Sequence, residues 1–347
     1  MKYAVEADIT RASVLDPRFY RDEEAHAATL ERVFARSWQW IGRLDAARSP
    51  GALRPFTLLP RSLDEPLLLV CDEVSTLRCL SNVCTHRGNL LVRETCAAKQ
   101  IRCGYHSRRF DLAGRMTFMP ECAEARDFPS AADDLPNVAL GDWGGHGFVS
   151  LEPATSFDAF FGDAREDMRD VRMDAMRHDP SRDREYEIAA HWALYVENYL
   201  EGFHIPFVHP SLGDAVDYAS YETRLHRYSN VQLARDKQGA GAARYWWVFP
   251  NLMLNFYPWG LSLNLVLPEG AARTRVLFRA FVADAAKLDQ GAGAGLDRVE
   301  AEDEAIVVAV QRGVRSRLYR GGRYSPTRER GVHHFHRLLC EFLEPLH

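Results

Sequence analysis

The 347-residue chain has no apolar run approaching the roughly 18 residues that a membrane-spanning helix requires, so no transmembrane segment is expected. Its N-terminus carries Glu6 and Asp8 and lacks an apolar stretch behind a basic start, which excludes a secretory signal of the ordinary pattern. A basic excess is missing too: the formal net charge is −5, and no nucleic-acid footprint is expected. These absences point to a cytoplasmic protein. The chain has neither the Gly-x-Gly-x-x-Gly fingerprint of a dinucleotide site nor the cysteine spacing of a plant-type ferredoxin. Seven cysteines show no disulfide framework, and five of them (Cys71, Cys79, Cys96, Cys122 and Cys340) read as free thiols acting as small buried apolar residues.

What the chain does have is a pair of mixed half-sites, Cys84-Thr85-His86 and Cys103-Gly104-Tyr105-His106, sixteen residues apart. Two thiolates and two imidazoles in this order suit a [2Fe–2S] cluster of the Rieske type, in which histidines replace cysteines on one iron and raise its potential. Zinc also accepts two Cys and two His, but its usual half-sites pair like with like. Gly88 and Gly104 beside the ligands allow tight turns, and Asp111-Leu112-Ala113-Gly114-Arg115 reads as a hairpin turn after the second loop.

The length allows two domains. Apolar residues at Leu30, Val33, Phe34 and Trp38 predict an N-terminal amphipathic helix over residues 20–40. Residues 41–152 break into short apolar runs separated by Gly, Pro and Asp, the texture of an all-β domain with both ligand loops at one end. Residues 153–347 are mixed: a helix over 157–176, a strand over 186–190, a helix over 194–208, aromatic strands over 245–249, 261–267 and 275–282, then helices over 297–319 and 332–342. Gly291–Gly295 reads as a glycine-rich loop.

A second constellation lies in His191–His209. On a helix Glu197, Asn198, Glu201 and His204 share a side, and His209, past the break at Pro206, can fold back toward His204. Two histidines seek one carboxylate to complete the facial triad of non-haem Fe(II). Asp303 is the candidate, on a helix expected to bury Val299, Ile306, Val310 and Val314, with Glu300 and Glu304 solvated.

Over nearly its whole length the chain resembles the oxygenase (alpha) component of Rieske non-haem iron oxygenases. The resemblance rests on the two half-sites, on Glu197-Asn198-x-x-Glu201-x-x-His204-x₄-His209, and on Glu302-Asp303 followed by Val310-Gln311-Arg312-Gly313. Phe249-Pro250-Asn251-Leu252-Met253, Tyr257-Pro258-Trp259 and His333-His334-Phe335-His336 are similar to the choline monooxygenase-like branch. The resemblance implies an α+β fold, an N-terminal all-β Rieske domain followed by a helix-grip (START-like) catalytic domain with a mostly antiparallel sheet. The first 40 residues are then expected to pack on the catalytic domain.

It further implies that Cys84, His86, Cys103 and His106 hold the cluster and that His204, His209 and Asp303 hold iron, with Glu201 and Asn198 as catalytic residues. Glu201, where the family usually has Asp, would bridge His204 to His106 of a neighbouring subunit in a head-to-tail homotrimer. Ser107-Arg108 stands where many members have Gly-Trp, so an aromatic cover over the cluster is missing. The implied activity is O₂-dependent hydroxylation or N-demethylation of a small organic substrate, fed by an NAD(P)H-dependent reductase or ferredoxin. Trp246, Trp247, Phe249, Phe256, Tyr257 and Trp259 are candidates for an aromatic cage around a quaternary ammonium group, though strand packing competes for each. Aromatic-ring dioxygenation and a non-enzymatic cluster carrier or sensor are the alternatives. A carrier has no use for His204, His209 and Asp303.

Overall fold

The computed structural model describes residues 3–209, 216–236, 242–288 and 296–344. The chain divides into two compact units, Trp38–Pro153 and the combination of Met1–Ser37 with Ala154–His347. The glycine-rich stretch 291–295 lies outside the described residues.

The Trp38–Pro153 unit is built from antiparallel strands β1 (Gln39–Arg43), β2 (Ala52–Leu58), β3 (Glu65–Cys71), β4 (Leu77–Ser81), β5 (Cys96–Ala97), β6 (Ile101–Arg102), β7 (Arg109–Phe110), β8 (Met116–Phe118), β9 (Asn137–Trp143) and β10 (His146–Ser150). Seven form a sheet in the order β1-β10-β9-β4-β3-β2-β5, and β6-β7-β8 form a small second one. The hairpin between β7 and β8 turns at Gly114, whose φ of +88° suits a residue without Cβ. Leu68, Val70, Leu80, Ile101, Phe110 and Leu135 make the core, and the Cys84 and Cys103 side chains are buried among them. Cys71 and Cys79 are buried as expected; Cys96 is exposed and Cys122 and Cys340 are only partly covered, so the apolar-core reading fails for Cys96.

The other unit contains an antiparallel sheet of β11 (Arg177–His178), β12 (Arg184–Ile188), β13 (Val216–Leu225), β14 (Ser229–Asp236), β15 (Ala242–Val248), β16 (Leu252–Tyr257), β17 (Gly260–Gly270) and β18 (Arg273–Val282). Its order is β11-β18-β17-β16-β15-β14-β13, with β12 also pairing β18. Trp246 pairs with Leu254, and Leu254 with Leu263, so large apolar side chains line up across the sheet. The helix Trp192–Tyr199 packs on β17 and β18 and against the helix Leu296–Val314. The N-terminal segment belongs to this unit: Phe19 and Tyr20 meet the His191 ring edge-on at centroid distances of 5.0 and 5.6 Å.

Several helices are shorter than the periodicity predicts. The N-terminal one covers only Glu23–Thr29 and a wider turn over Leu30–Phe34, ending where the Ser37 hydroxyl donates back to the Val33 carbonyl at 2.7 Å. The helix expected over 157–176 stops at Asp167. The helix expected over 194–208 breaks after Tyr199, because the Glu201 carboxylate accepts the Phe203 and His204 amides in place of helical carbonyls. Only a short turn, Ile205–Val208, follows, with Pro206 at its start.

His191 caps the Trp192–Tyr199 helix, its Nδ1 accepting the Ala193 amide at 3.2 Å, and burial pushes its pKa down to about 3. Burial also lowers His334, to about 4. Both folded values lie below the unfolded one near 6.5, so the stability these neutral rings contribute is complete above pH 6.5 and is lost as pH falls through 4 to 3. Thermal melts should show the transition falling steeply between pH 6.5 and 4.5, each ring adding up to about 1.4 kcal/mol per pH unit. His191→Asn, which keeps a capping acceptor, should flatten that dependence; an unchanged slope would contradict it.

Candidate metal centres

The two ligand loops have one design. Cys84 N donates to Asn89 O at 2.9 Å and Gly88 N to Cys84 O at 3.0 Å; Cys103 N donates to Arg108 O at 2.8 Å and Ser107 N to Cys103 O at 3.1 Å. Each is thus a six-residue turn with a left-handed residue fifth, Gly88 at φ +71° and Ser107 at +60°. Serine costs about 1 kcal/mol there relative to glycine, and its hydroxyl accepts from Arg102 Nη2 at 2.9 Å.

The turns bring the two thiols into contact and set His86 Nδ1 3.2 Å from His106 Nδ1. That separation is close to the edge of a tetrahedron with metal–nitrogen bonds of about 2 Å. The Tyr105 amide and Asn89 Nδ2 point at Cys103 Sγ from 3.4 and 3.6 Å. Burial works against a Cys103 thiolate, but these and the His106 amide bring its pKa below the ordinary thiol value. Two buried sulfurs, two convergent Nδ1 atoms and amide donors aimed at sulfur fit a [2Fe–2S] centre. The His86 side chain is exposed and that of His106 is half-buried.

The second centre is assembled by the broken helix. Gly202 lies flush on Tyr221, where a Cβ would stand 2.6 Å from the ring, and the turn around it presents Glu201 and His204 beside the Leu296–Val314 helix. Donor atoms of His204, His209 and Asp303 all lie within 4.8 Å of one another. His209 Nε2 is 2.9 Å and His204 Nε2 3.5 Å from Asp303 Oδ1, which also accepts from Asn198 Nδ2 at 2.6 Å. Each histidine turns its other nitrogen to a carboxylate: His204 Nδ1 to Glu201 Oε1 at 2.7 Å, and His209 Nδ1 to Glu302 Oε2 at 2.8 Å.

Two Nε2 atoms and one carboxylate oxygen facing a common point, each ring oriented from behind by an acid, fit a two-histidine, one-carboxylate Fe(II) site. Burial opposes a charged His204, yet its bonds to Asp303 and Glu201 raise its pKa to about 9. Burial likewise opposes an ionised Asp303, but the two histidines bring it down to about 2.

The Rieske [2Fe-2S] domain family matches residues 38–129, and the ring hydroxylating alpha subunit (catalytic domain) family matches residues 173–344. The chain belongs to the Rieske non-haem iron oxygenases. Its cofactors are accordingly a [2Fe–2S] cluster and a mononuclear iron used with O₂. An oxygenase component of this kind works with a reductase on a small-molecule substrate. The chain is 28% identical to the chloroplastic choline monooxygenase of Arabidopsis thaliana, across 95% of this chain and 83% of that protein. It is also 28% identical to the carnitine monooxygenase oxygenase subunit of Escherichia coli (strain K12), across 96% and 95%. In fold it matches the quaternary ammonium Rieske monooxygenase CntA in complex with L-carnitine, with a TM-score of 0.78, 22% identity and 97% of each chain covered. Naphthalene 1,2-dioxygenase matches with a TM-score of 0.71, 16% identity and coverage of 95% and 92%. Among the described residues no helix is long and apolar enough to cross a membrane.

Some sequence expectations need correcting. Glu197 does not face the iron site: it accepts from Tyr20 Oη at 2.7 Å and lies 3.0 Å from His336 Nε2. On the Leu296–Val314 helix Ile306 and Val310 are exposed, while Glu300, Val307, Gln311 and Val314 are buried. Glu300, expected in solvent, instead accepts the Tyr195 hydroxyl at 2.8 Å. Of the six aromatic cage candidates only Tyr257 lines the cavity beside the iron site; Trp246, Trp247 and Phe249 are core residues. That cavity is walled instead by Tyr195, Tyr199, Tyr221, Tyr245, Tyr257 and Phe278. His333 and His336 serve packing, bonded to the Glu6 carbonyl and to Tyr324. Sequence reasoning missed the orienting role of Glu302, whose signal was its place next to Asp303, and Gln311, whose Oε1 accepts the His191 amide at 2.7 Å.

Proposed function

We propose that this oxygenase hydroxylates a quaternary ammonium compound, at an N-methyl or neighbouring carbon, and that attack on N-methyl releases formaldehyde. The observation that supports this most is Glu300. It is a 6%-exposed carboxyl lining a tyrosine-walled cavity in which no Lys or Arg stands among the described residues. Burial pushes its pKa up to about 8, against the Tyr195 hydrogen bond. Glu300 therefore holds its proton when alone, and a bound cation favours the carboxylate. Tyrosine faces add cation–π attraction. The relatives named for choline and carnitine oxidation agree with such a substrate. With no Lys or Arg among the described wall residues to receive a carboxylate, compounds with a neutral tail should be preferred over zwitterions such as carnitine.

In this reading Cys84, Cys103, His86 and His106 hold the cluster, and His204, His209 and Asp303 hold the iron. A bound cluster would supply single electrons, and a bound iron would supply the open positions that O₂ chemistry needs. Glu201 fixes the His204 ring, Glu302 fixes His209, and Asn198 orients Asp303. The Glu201 carboxylate, which accepts three bonds, keeps about one lone pair for a donor from outside, which supports a head-to-tail homotrimer in which His106 of a neighbouring copy meets it. The work is done in the cytoplasm, where a reductase can draw on NAD(P)H.

Oxygen uptake with a reductase should be stimulated by choline-like cations. Glu300→Gln keeps the Tyr195 bond but should raise KM for the cation at least about tenfold, or 1.4 kcal/mol. The uncharged carbon isostere should be indifferent to the change. Uptake driven instead by aromatic hydrocarbons would overturn the reading.

A further inference from the structure

We propose that Arg108, a buried cation between the two ligand loops, raises the reduction potential of the cluster and takes over the place of a neutral aromatic cover. The proposal rests on the ligand roles of Cys84, His86, Cys103 and His106, and not on the substrate. Arg108 is 2% exposed. Its Nη2 donates to Asp133 Oδ1 at 2.6 Å, and its guanidinium carbon lies 5.8 and 5.5 Å from the Phe110 and Phe128 ring centroids. Its Nε–H is buried with no acceptor among the described residues.

Arg108 is tied to both ligand loops. Its carbonyl closes the second loop by accepting the Cys103 amide at 2.8 Å. Its partner Asp133 is tied to the first, since the Thr85 hydroxyl donates to the Asp133 carbonyl at 2.7 Å. The Ser130 amide, with Arg108, holds the Asp133 carboxyl below the usual range, so the pair is ionised.

With two thiolate and two neutral imidazole ligands, an oxidised [2Fe–2S] centre carries no net charge, and one electron from the partner reductase leaves it at −1. A fixed cation in low dielectric favours the reduced form, and Arg, which does not deprotonate in proteins, keeps that bias at every working pH. Asp133 offsets part of it. Removing Arg108 should therefore lower the potential, and neutralising Asp133 should raise it. Opposite signs from two halves of one ion pair are not what a packing role produces.

The test is an anaerobic redox titration of the full-length protein, followed by visible absorbance and by EPR of the reduced cluster. Arg108→Met should weaken reduction at least tenfold, a fall of about 59 mV for one electron. Arg108→Lys, which keeps the charge, should recover most of that shift, and Asp133→Asn should move the potential upward. If Arg108→Met fails to hold the cluster, the other two variants decide. An intact cluster whose potential ignores Arg108→Met, or falls or stays unchanged in Asp133→Asn, overturns the proposal. A wild-type protein without the cluster signal would instead remove the ligand assignment on which it rests.

Discussion

Asp303→Ala is expected to leave the cluster's visible spectrum intact while mononuclear iron and turnover are lost. Asp303 Oδ1 is the point on which His204, His209 and Asn198 converge, and its carboxylate is the only negative charge among the three proposed ligands. Without it two neutral imidazoles remain, a set with much weaker hold on Fe(II). The loss should exceed the roughly 10–100-fold that changes behind the ligands cost. Because Asp303 and the cluster ligands belong to different compact units, the absorbance of the cluster is an internal control for folding. Iron analysis against that absorbance checks the expectation; retained turnover would contradict the assignment of Asp303.

Glu201→Gln should have the next largest effect, with a different signature. The amide oxygen can still accept from His204 Nδ1, while the NH2 group gives up the Phe203 and His204 amides, so iron should be retained within about a tenfold to hundredfold change in affinity. What is lost is the negative charge that polarises the ring and can accept a second donor from a neighbouring copy. Reductase-driven oxygen uptake should fall roughly a hundredfold, and in stopped-flow the reduced cluster should persist with substrate and O₂ present. Glu201→Asp, the residue usual in the family, should retain more activity than Gln because it keeps the charge. Normal reoxidation of the cluster in Glu201→Gln would contradict a bridging role.

The parts of the site that were legible in the sequence are those whose chemistry is local. Cys-x-His and Cys-x-x-His announce a cluster because ligand type and spacing lie within one turn each, and the turns close as their ligands require. His204, His209 and Asp303 could be brought together only by combining a helix pattern with the demand of a redox centre for a second site. Local competition was harder to see. Glu201 takes amides from Phe203 and His204 and ends the helix whose continuation its neighbours favour, so Glu197 and Glu201 part company.

Burial of polar groups was least legible. The face of the Leu296–Val314 helix turned inward is Glu300, Val307, Gln311 and Val314, not the apolar set with Ile306 and Val310, because the neighbours offer Tyr195 and the His191 amide as partners. Periodicity counts apolar residues and cannot see a carboxyl recruited by a tyrosine across the fold. Arg108 was visible only as a departure from Gly-Trp. Its burial against Asp133 became apparent only with the three-dimensional placement of residues 108 and 133.

Metal and acid-labile sulfide analysis of the purified protein, joined to EPR after reduction, tests most directly that the chain carries two distinct iron sites. The presence of both the Cys84, His86, Cys103 and His106 set and a separate His204, His209 and Asp303 triad predicts three irons and two sulfides per chain, with a Rieske-type signal from the reduced cluster. A colourless protein holding zinc and no sulfide would contradict it.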